Sequence, residues 1–184
     1  MPVLLYFLQE RKKMQRVRKQ VQVPEQAYRG VWQAEPVTVA VLDTGVAYHP
    51  DLAGRLLSFS DFVEHRSLPY DDSGHGTHVC GILCGSGELS GGRFQGMAPK
   101  AKLVVGKVLN RQGEGSCDSM LEALEWILHV KNRFSIRILN ISVGIGDLRE
   151  RYKEQMLRDS LEMLWEHNIL VVCAAGNSGP EDGS

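Results

Sequence analysis

Three residues able to do proton or oxyanion chemistry, Asp43, His75 and Asn177, each stand at the edge of an apolar or small-residue segment. His75 lies in Asp71-Asp72-Ser73-Gly74-His75-Gly76-Thr77-His78-Val79-Cys80-Gly81. Ser73 and Gly74 suit a turn, and the small and apolar residues from His75 to Gly85 suit a helix, with Val79, Ile82 and Leu83 able to face a core. That leaves His75 at the helix mouth, facing solvent. An imidazole there can take up and return a proton near neutral pH, provided a carboxylate holds its ring and a nucleophile lies within reach. Asp43, at the end of an apolar run, can accept the Nδ1 proton, fix the tautomer and stabilise the imidazolium. Asn177 follows Ala175-Gly176, small residues that leave its amide room to meet a developing oxyanion. The chemistry that uses all three is acyl transfer.

Two other readings fit the same histidines. His75 and His78, at i and i+3, could share a helix face and bind a metal, and with Asp43 they would make a metallohydrolase centre. No Glu or Cys sits at ligand spacing beside them, so no metal centre is expected. A plain capped helix with solvated histidines is the reading for the stretch taken alone.

The elements that must position these residues alternate along the chain. Val37–Leu42 is a short β-branched run with little polar alternation, as expected of a strand buried on both faces. A turn-rich stretch follows, with a possible short strand from Leu56 to Phe62. Beyond the histidine helix come a strand over residues 102–109, a helix from Asp118 to Asn132 capped by Ser116 or Asp118, and a strand over residues 137–142. Leu121, Leu124 and Leu128 recur on the first of these helices. A further helix spans residues 149–168, with Leu157, Leu161, Leu164 and Trp165 on one stripe, and an apolar strand spans residues 169–174. Strand and helix in alternation predict an α/β fold: a mostly parallel sheet with helices on both faces, joined by right-handed crossovers. Ligands in such sheets bind beyond the carboxyl ends of the strands, where Asp43, Ser142-Val143-Gly144 and Asn177 would gather with His75.

A length of 184 residues and 43% apolar content suit one compact domain, residues 34–184, preceded by an arm over residues 1–33. The formal net charge of −1 gives no reason to expect nucleic acid, although residues 11–19 carry a local basic run. No stretch approaches the roughly 18 apolar residues that span a bilayer, so no membrane partner is expected. Val3–Leu8 is apolar but is followed by charge instead of preceded by it, which makes a poor signal peptide. The four cysteines, Cys80, Cys84, Cys117 and Cys173, show no CxxC rhythm and read as buried free thiols, which suits a cytoplasmic location. Cys80 and Cys84, one helical turn apart, leave a metal or redox role as an alternative.

Three segments carry a family resemblance: Val41-Leu42-Asp43-Thr44-Gly45, His75-Gly76-Thr77-His78-Val79-Cys80-Gly81 and Ala174-Ala175-Gly176-Asn177-Ser178-Gly179. In this order they resemble the three blocks of subtilisin-like serine peptidases, with Gly96-Met97-Ala98-Pro99 and Asn140-Ile141-Ser142-Val143-Gly144 between them. The resemblance implies a three-layer subtilisin-like fold and endopeptidase hydrolysis of peptide bonds. It implies Asp43 as the triad acid, His75 as the general base, Asn177 as the oxyanion-hole side chain and His78 as a structural neighbour. It further implies that Gly113-Glu114-Gly115 and Ser142-Val143-Gly144 flank an extended peptide that pairs with both backbones. Glu114 hints at preference for a basic residue on the non-primed side. Asp51 resembles an aspartate that often helps to bind calcium in the family, although residues 85–92 do not read as an oxygen-rich calcium loop and His49-Pro50-Asp51 suits a simple turn.

The family's nucleophile lies in a Gly-Thr-Ser-Met-like turn after the Asn block, and residues 1–184 contain no such turn. Ser142, Ser178 and Ser184 are in the wrong context to replace it. The chain is therefore expected to be a fragment with the C-terminal part of the fold missing and negligible turnover of its own, the alternative being a non-catalytic peptide-binding protein. The arm is also too short for both a signal peptide and a folding propeptide.

Overall fold

The computed structural model describes residues 37–142 and 151–174, with Gln20 and Gln22 besides. The arm over residues 1–33 lies outside the described residues apart from those two.

Among the described residues, five strands form one sheet in the order β2-β3-β1-β4-β5. They are β1 (Thr38–Asp43), β2 (Leu56–Asp61), β3 (Lys102–Lys107), β4 (Ile136–Ile141) and β5 (Leu170–Cys173). Every strand pair is parallel. The β-branched run expected at the front of the chain is the centre of the sheet, and all six residues of β1 are buried. With β3 on one side and β4 on the other, β1 lies where the strand order reverses, the place where open parallel sheets leave a crevice.

Side chains on β1 and β3 alternate between two cores, as the pleat requires. Val39, Val41, Leu103 and Val105 pack with Cys80 and Cys84 of α1 (His75–Cys84). Ala40, Leu42 and Val104 pack on the opposite face with Met120, Leu124 and Ile127 of α2 (Cys117–Phe134) and with Leu157 and Leu164 of α3 (Arg151–Glu166). This is the three-layer α/β arrangement, with one of these described helices over one face and two over the other. Ser116 caps α2, its hydroxyl accepting the Ser119 amide at 3.0 Å.

Some expected burial is redistributed. In α1 the residues turned fully inward are Gly76, Cys80 and Cys84, while Ile82 is exposed. Small side chains at the contact let α1 lie close to β1. Trp165, placed by periodicity on the core stripe of α3, is also exposed. Cys80 and Cys84 are buried free thiols as expected, but Cys117 is only half-buried and Cys173 is exposed. Cys173 sits on β5, which has β4 as its one neighbour among the described strands. No helix among the described residues is long and apolar enough to cross a membrane.

Candidate active site

Asp43 is the last residue of β1, and its side chain is fully buried. Its backbone carbonyl accepts from the amides of Val108 and Leu109 at 2.9 and 3.3 Å, so the exit of β3 holds the exit of β1. The Asp43 carboxylate accepts the Thr44 amide at 2.7 Å and lies 2.7 Å from Nδ1 of His75. With Asp43 ionised, Nδ1 is the donor, and the neutral ring keeps a basic Nε2 for a substrate proton. The imidazole is half exposed beside this buried carboxylate.

The first turn of α1 is fixed by a residue four positions before His75. Asp71 Oδ1 accepts from the Thr44 hydroxyl at 2.8 Å and from the Gly74 amide at 2.8 Å, with Ser73 at 3.2 Å. Its Oδ2 accepts from the amide and hydroxyl of Thr77 at 2.8 and 2.6 Å. These bonds satisfy free amides at the helix start, where the N-cap residue Gly74 has no side chain to do so. Burial by itself would raise the Asp71 pKa; the Thr77 hydroxyl and the Gly74 and Thr77 amides outweigh it and hold the carboxyl below its ordinary range. Gly76 brings the helix against β1: a Cβ built there would lie 2.2 Å from the Gly45 carbonyl oxygen and 3.2 Å from Asp43 Cβ.

A cleft of about 310 Å³ opens beside His75, lined by Thr44, Ser73, Leu109, Gln112, Gly113 and Ser142. It lies beyond the carboxyl ends of β1, β3 and β4, where sequence patterning placed a site. Gly113 and Ser142 thus stand in one cleft with His75. Glu114 turns its carboxylate back to the Asn110 side chain at 3.2 Å. Gly115 leaves no room for a side chain, because a Cβ would meet Leu109 Cδ2 and the Val108 carbonyl oxygen at 2.6 Å. Ser142 accepts from Asn140 Nδ2 at 2.7 Å. Val143, Gly144 and Asn177, also expected at the site, lie outside the described residues.

Lys107 is a component that sequence reasoning missed. Its side chain is fully buried at the end of β3, and its ammonium donates to the Thr44 carbonyl, the Asp72 carboxylate and the Leu109 carbonyl at 2.7, 2.7 and 2.8 Å. The available signal was a lone lysine inside Val104-Val105-Gly106-Lys107-Val108-Leu109.

Among the described residues, no three His, Cys, Asp or Glu side chains are grouped to hold a metal ion. Asp51 accepts from the Ser86 hydroxyl at 3.2 Å and the Leu89 amide at 3.1 Å. Both bonds engage one oxygen of that carboxylate from the loop that follows α1.

The comparisons with known proteins agree with the fold. The model of the Subtilase family matches residues 34–184. "Serine protease AprX" of Bacillus subtilis (strain 168) is 44% identical over 149 residues, covering 79% of this chain and 34% of that protein. "Subtilisin Savinase" of Lederbergia lenta is 35% identical over 159 residues, covering 86% of this chain and 54% of that protein. A solved structure of a cold adapted subtilisin-like serine proteinase aligns with a TM-score of 0.61 and 30% identity, over 77% of this chain and 47% of that one. The chain thus spans about a third to a half of the length of these relatives. Because the family match takes in the whole sheet and the buried Asp43 beside His75, the chain belongs to the subtilase family of subtilisin-like serine proteases.

Proposed function

We propose that the protein carrying this chain is a serine endopeptidase that cleaves extended peptides in the cleft beside His75. The supporting observation is the 2.7 Å approach of His75 Nδ1 to the buried Asp43 carboxylate, at the mouth of a cleft also lined by Gly113 and Ser142. In this reading a serine supplied from outside residues 1–184 attacks the scissile carbonyl. His75 Nε2 takes the hydroxyl proton and then delivers it to the leaving amine; Asp43 holds the tautomer and stabilises the imidazolium between the two transfers. Water repeats the sequence to release the acid product. Asn177 is the proposed oxyanion donor. The backbones of residues 113–115 and 142–144 flank the peptide as strands.

The test uses the natural protein, captured with an antibody to residues 154–166. It should exceed the mass of the 184 residues, take up a fluorophosphonate at one serine and hydrolyse peptides. His75→Ala should lower kcat by roughly a millionfold, the loss known for the corresponding change in subtilisin. A protein of the mass of these residues that retains peptides but takes up no label would replace catalysis with peptide binding.

A further inference from the structure

We propose that Lys107 is a positioning residue for the Asp43–His75 pair, acting through three contacts of its buried ammonium; this rests on the peptidase reading given above. An ammonium has three protons, and here each meets one acceptor: Thr44 O, Asp72 Oδ1 and Leu109 O. The acceptors come from three segments that meet at the cleft. Thr44 follows Asp43 directly and donates its amide to that carboxylate. Leu109 lines the cleft and shares the Asp43 carbonyl with Val108. Asp72 precedes Ser73 and His75 in the stretch that enters α1.

Asp43 and Lys107 are register partners across β1 and β3, so their side chains leave the same face of the sheet. The lysine does not pair with Asp43. It reaches past that residue to the next peptide carbonyl, while the amides of residues 108 and 109 hold the Asp43 carbonyl. Residues 43 and 44 are therefore gripped by the exit of β3 through both its backbone and its side chain.

Asp72 supplies the compensating charge that a buried ammonium requires. The Tyr70 ring lies 4.9 Å from Nζ. Its hydroxyl donates to Asp61 at 2.8 Å, and the Arg66 guanidinium lies 4.4 Å from the same ring. The cation thus also faces an aromatic ring. Without it, the Thr44 and Leu109 carbonyls would be left buried without this donor, and the backbone after Asp43 and at the exit of β3 would have to move to find others.

The experiment uses the whole natural protein with Lys107→Met, Asp72→Ala and Asp72→Asn. Two readouts are taken on folded material: kcat against KM, and the downfield proton resonance of the His75–Asp43 hydrogen bond. Lys107→Met should broaden or remove that resonance and lower kcat roughly 10–100-fold, with KM changed less than about threefold. Asp72→Ala should move both readouts in the same direction by less. Asp72→Asn, which keeps an acceptor for Nζ, should recover most of the loss.

A resonance and kcat unchanged in both Lys107→Met and Asp72→Ala would overturn the proposal, even if thermal stability fell. Should Lys107→Met not fold, an unchanged resonance and kcat in Asp72→Ala overturn it alone. A wild-type protein that shows the resonance but hydrolyses nothing removes the peptidase reading; the resonance series then decides the positioning role by itself.

Discussion

The Thr44 hydroxyl donates to Asp71 and at the same time accepts the Gly76 amide, at 2.8 and 2.9 Å. One side chain therefore ties the end of β1 to both the carboxylate that caps α1 and the first turn of that helix. Removing the carboxylate strands several donors at once. Asp71→Ala should cost about 1–2 kcal/mol, the usual loss for a helix cap, and should lower the proposed peptidase activity because His75 loses its fixed entry into the helix. Urea unfolding and steady-state kinetics of the variant check both effects. Full stability together with full activity would show that Asp71 does not set the position of His75.

Acid should destabilise the fold through three carboxylates of the 61–72 region. Lys107 holds the Asp72 carboxyl below its ordinary pKa. For Asp61 and Asp71, burial acts in the opposite direction but is outweighed by hydrogen bonds: for Asp61 from the amides of Val63, Glu64 and Arg66 and the Tyr70 hydroxyl. A carboxyl whose folded pKa is depressed binds fewer protons in the native state, so stability rises with pH in that window. The contribution is complete above the unfolded value of about 3.9 and disappears as pH falls through the lower folded values. The urea midpoint should therefore hold from neutrality to about pH 5 and fall below about pH 4. Asp71→Asn should make that fall shallower, and a midpoint indifferent to acid would contradict the assignment.

Two glycines of α1 should respond in opposite ways to alanine. Helix propensity alone favours alanine at both by up to about 1 kcal/mol. At Gly81 nothing lies within 4 Å of a Cβ, so Gly81→Ala should be neutral or stabilising. At Gly76 the Cβ would lie 2.2 Å from the Gly45 carbonyl oxygen, and the helix must back away from β1. Gly76→Ala should cost about 1–3 kcal/mol, the range for overpacking, and should weaken the proposed peptidase activity. Equal urea midpoints for the two variants would show that α1 can shift without cost.

What the sequence made legible follows from the range of the physics involved. A β-branched run with no polar alternation can bury both faces in a parallel sheet, and Thr38–Asp43 does so. The ends of such strands gather on one edge, which brought Asp43 to the His75 helix before any distance was known. Lys107 escaped because a lysine at a strand end ordinarily extends into water. Its burial depends on acceptors 63 and 35 positions away, at Thr44 and Asp72, and no local pattern encodes those contacts. Periodicity also misplaced Trp165. A stripe gives the direction a residue faces along its helix but not where the neighbouring elements end. The same limit applies to Cys173, whose apolar run says strand without saying which strands lie beside it.

The loop at the cleft rim yields the last expectation, concerning substrate choice. Asn110 Oδ1 accepts the amides of Gln112 and Glu114 at 2.9 and 3.0 Å, and Asn110 N donates to the Glu114 carbonyl at 2.8 Å. One side chain thus shapes the turn that presents Gln112 and Gly113 to the cleft. Glu114 is drawn into the same arrangement through its bond to Asn110 Nδ2. A carboxylate engaged within its own loop is less able to select a basic residue than sequence alone suggested. Asn110→Ala should raise KM for every peptide by roughly 3–10-fold while kcat stays within about twofold, because binding surface is lost without disturbing Asp43 or His75. Glu114→Gln keeps an oxygen for Asn110 and should leave the ranking of peptides unchanged. If that variant instead loses a preference for basic residues on the non-primed side, Glu114 reads the substrate directly and its bond to Asn110 yields when peptide binds.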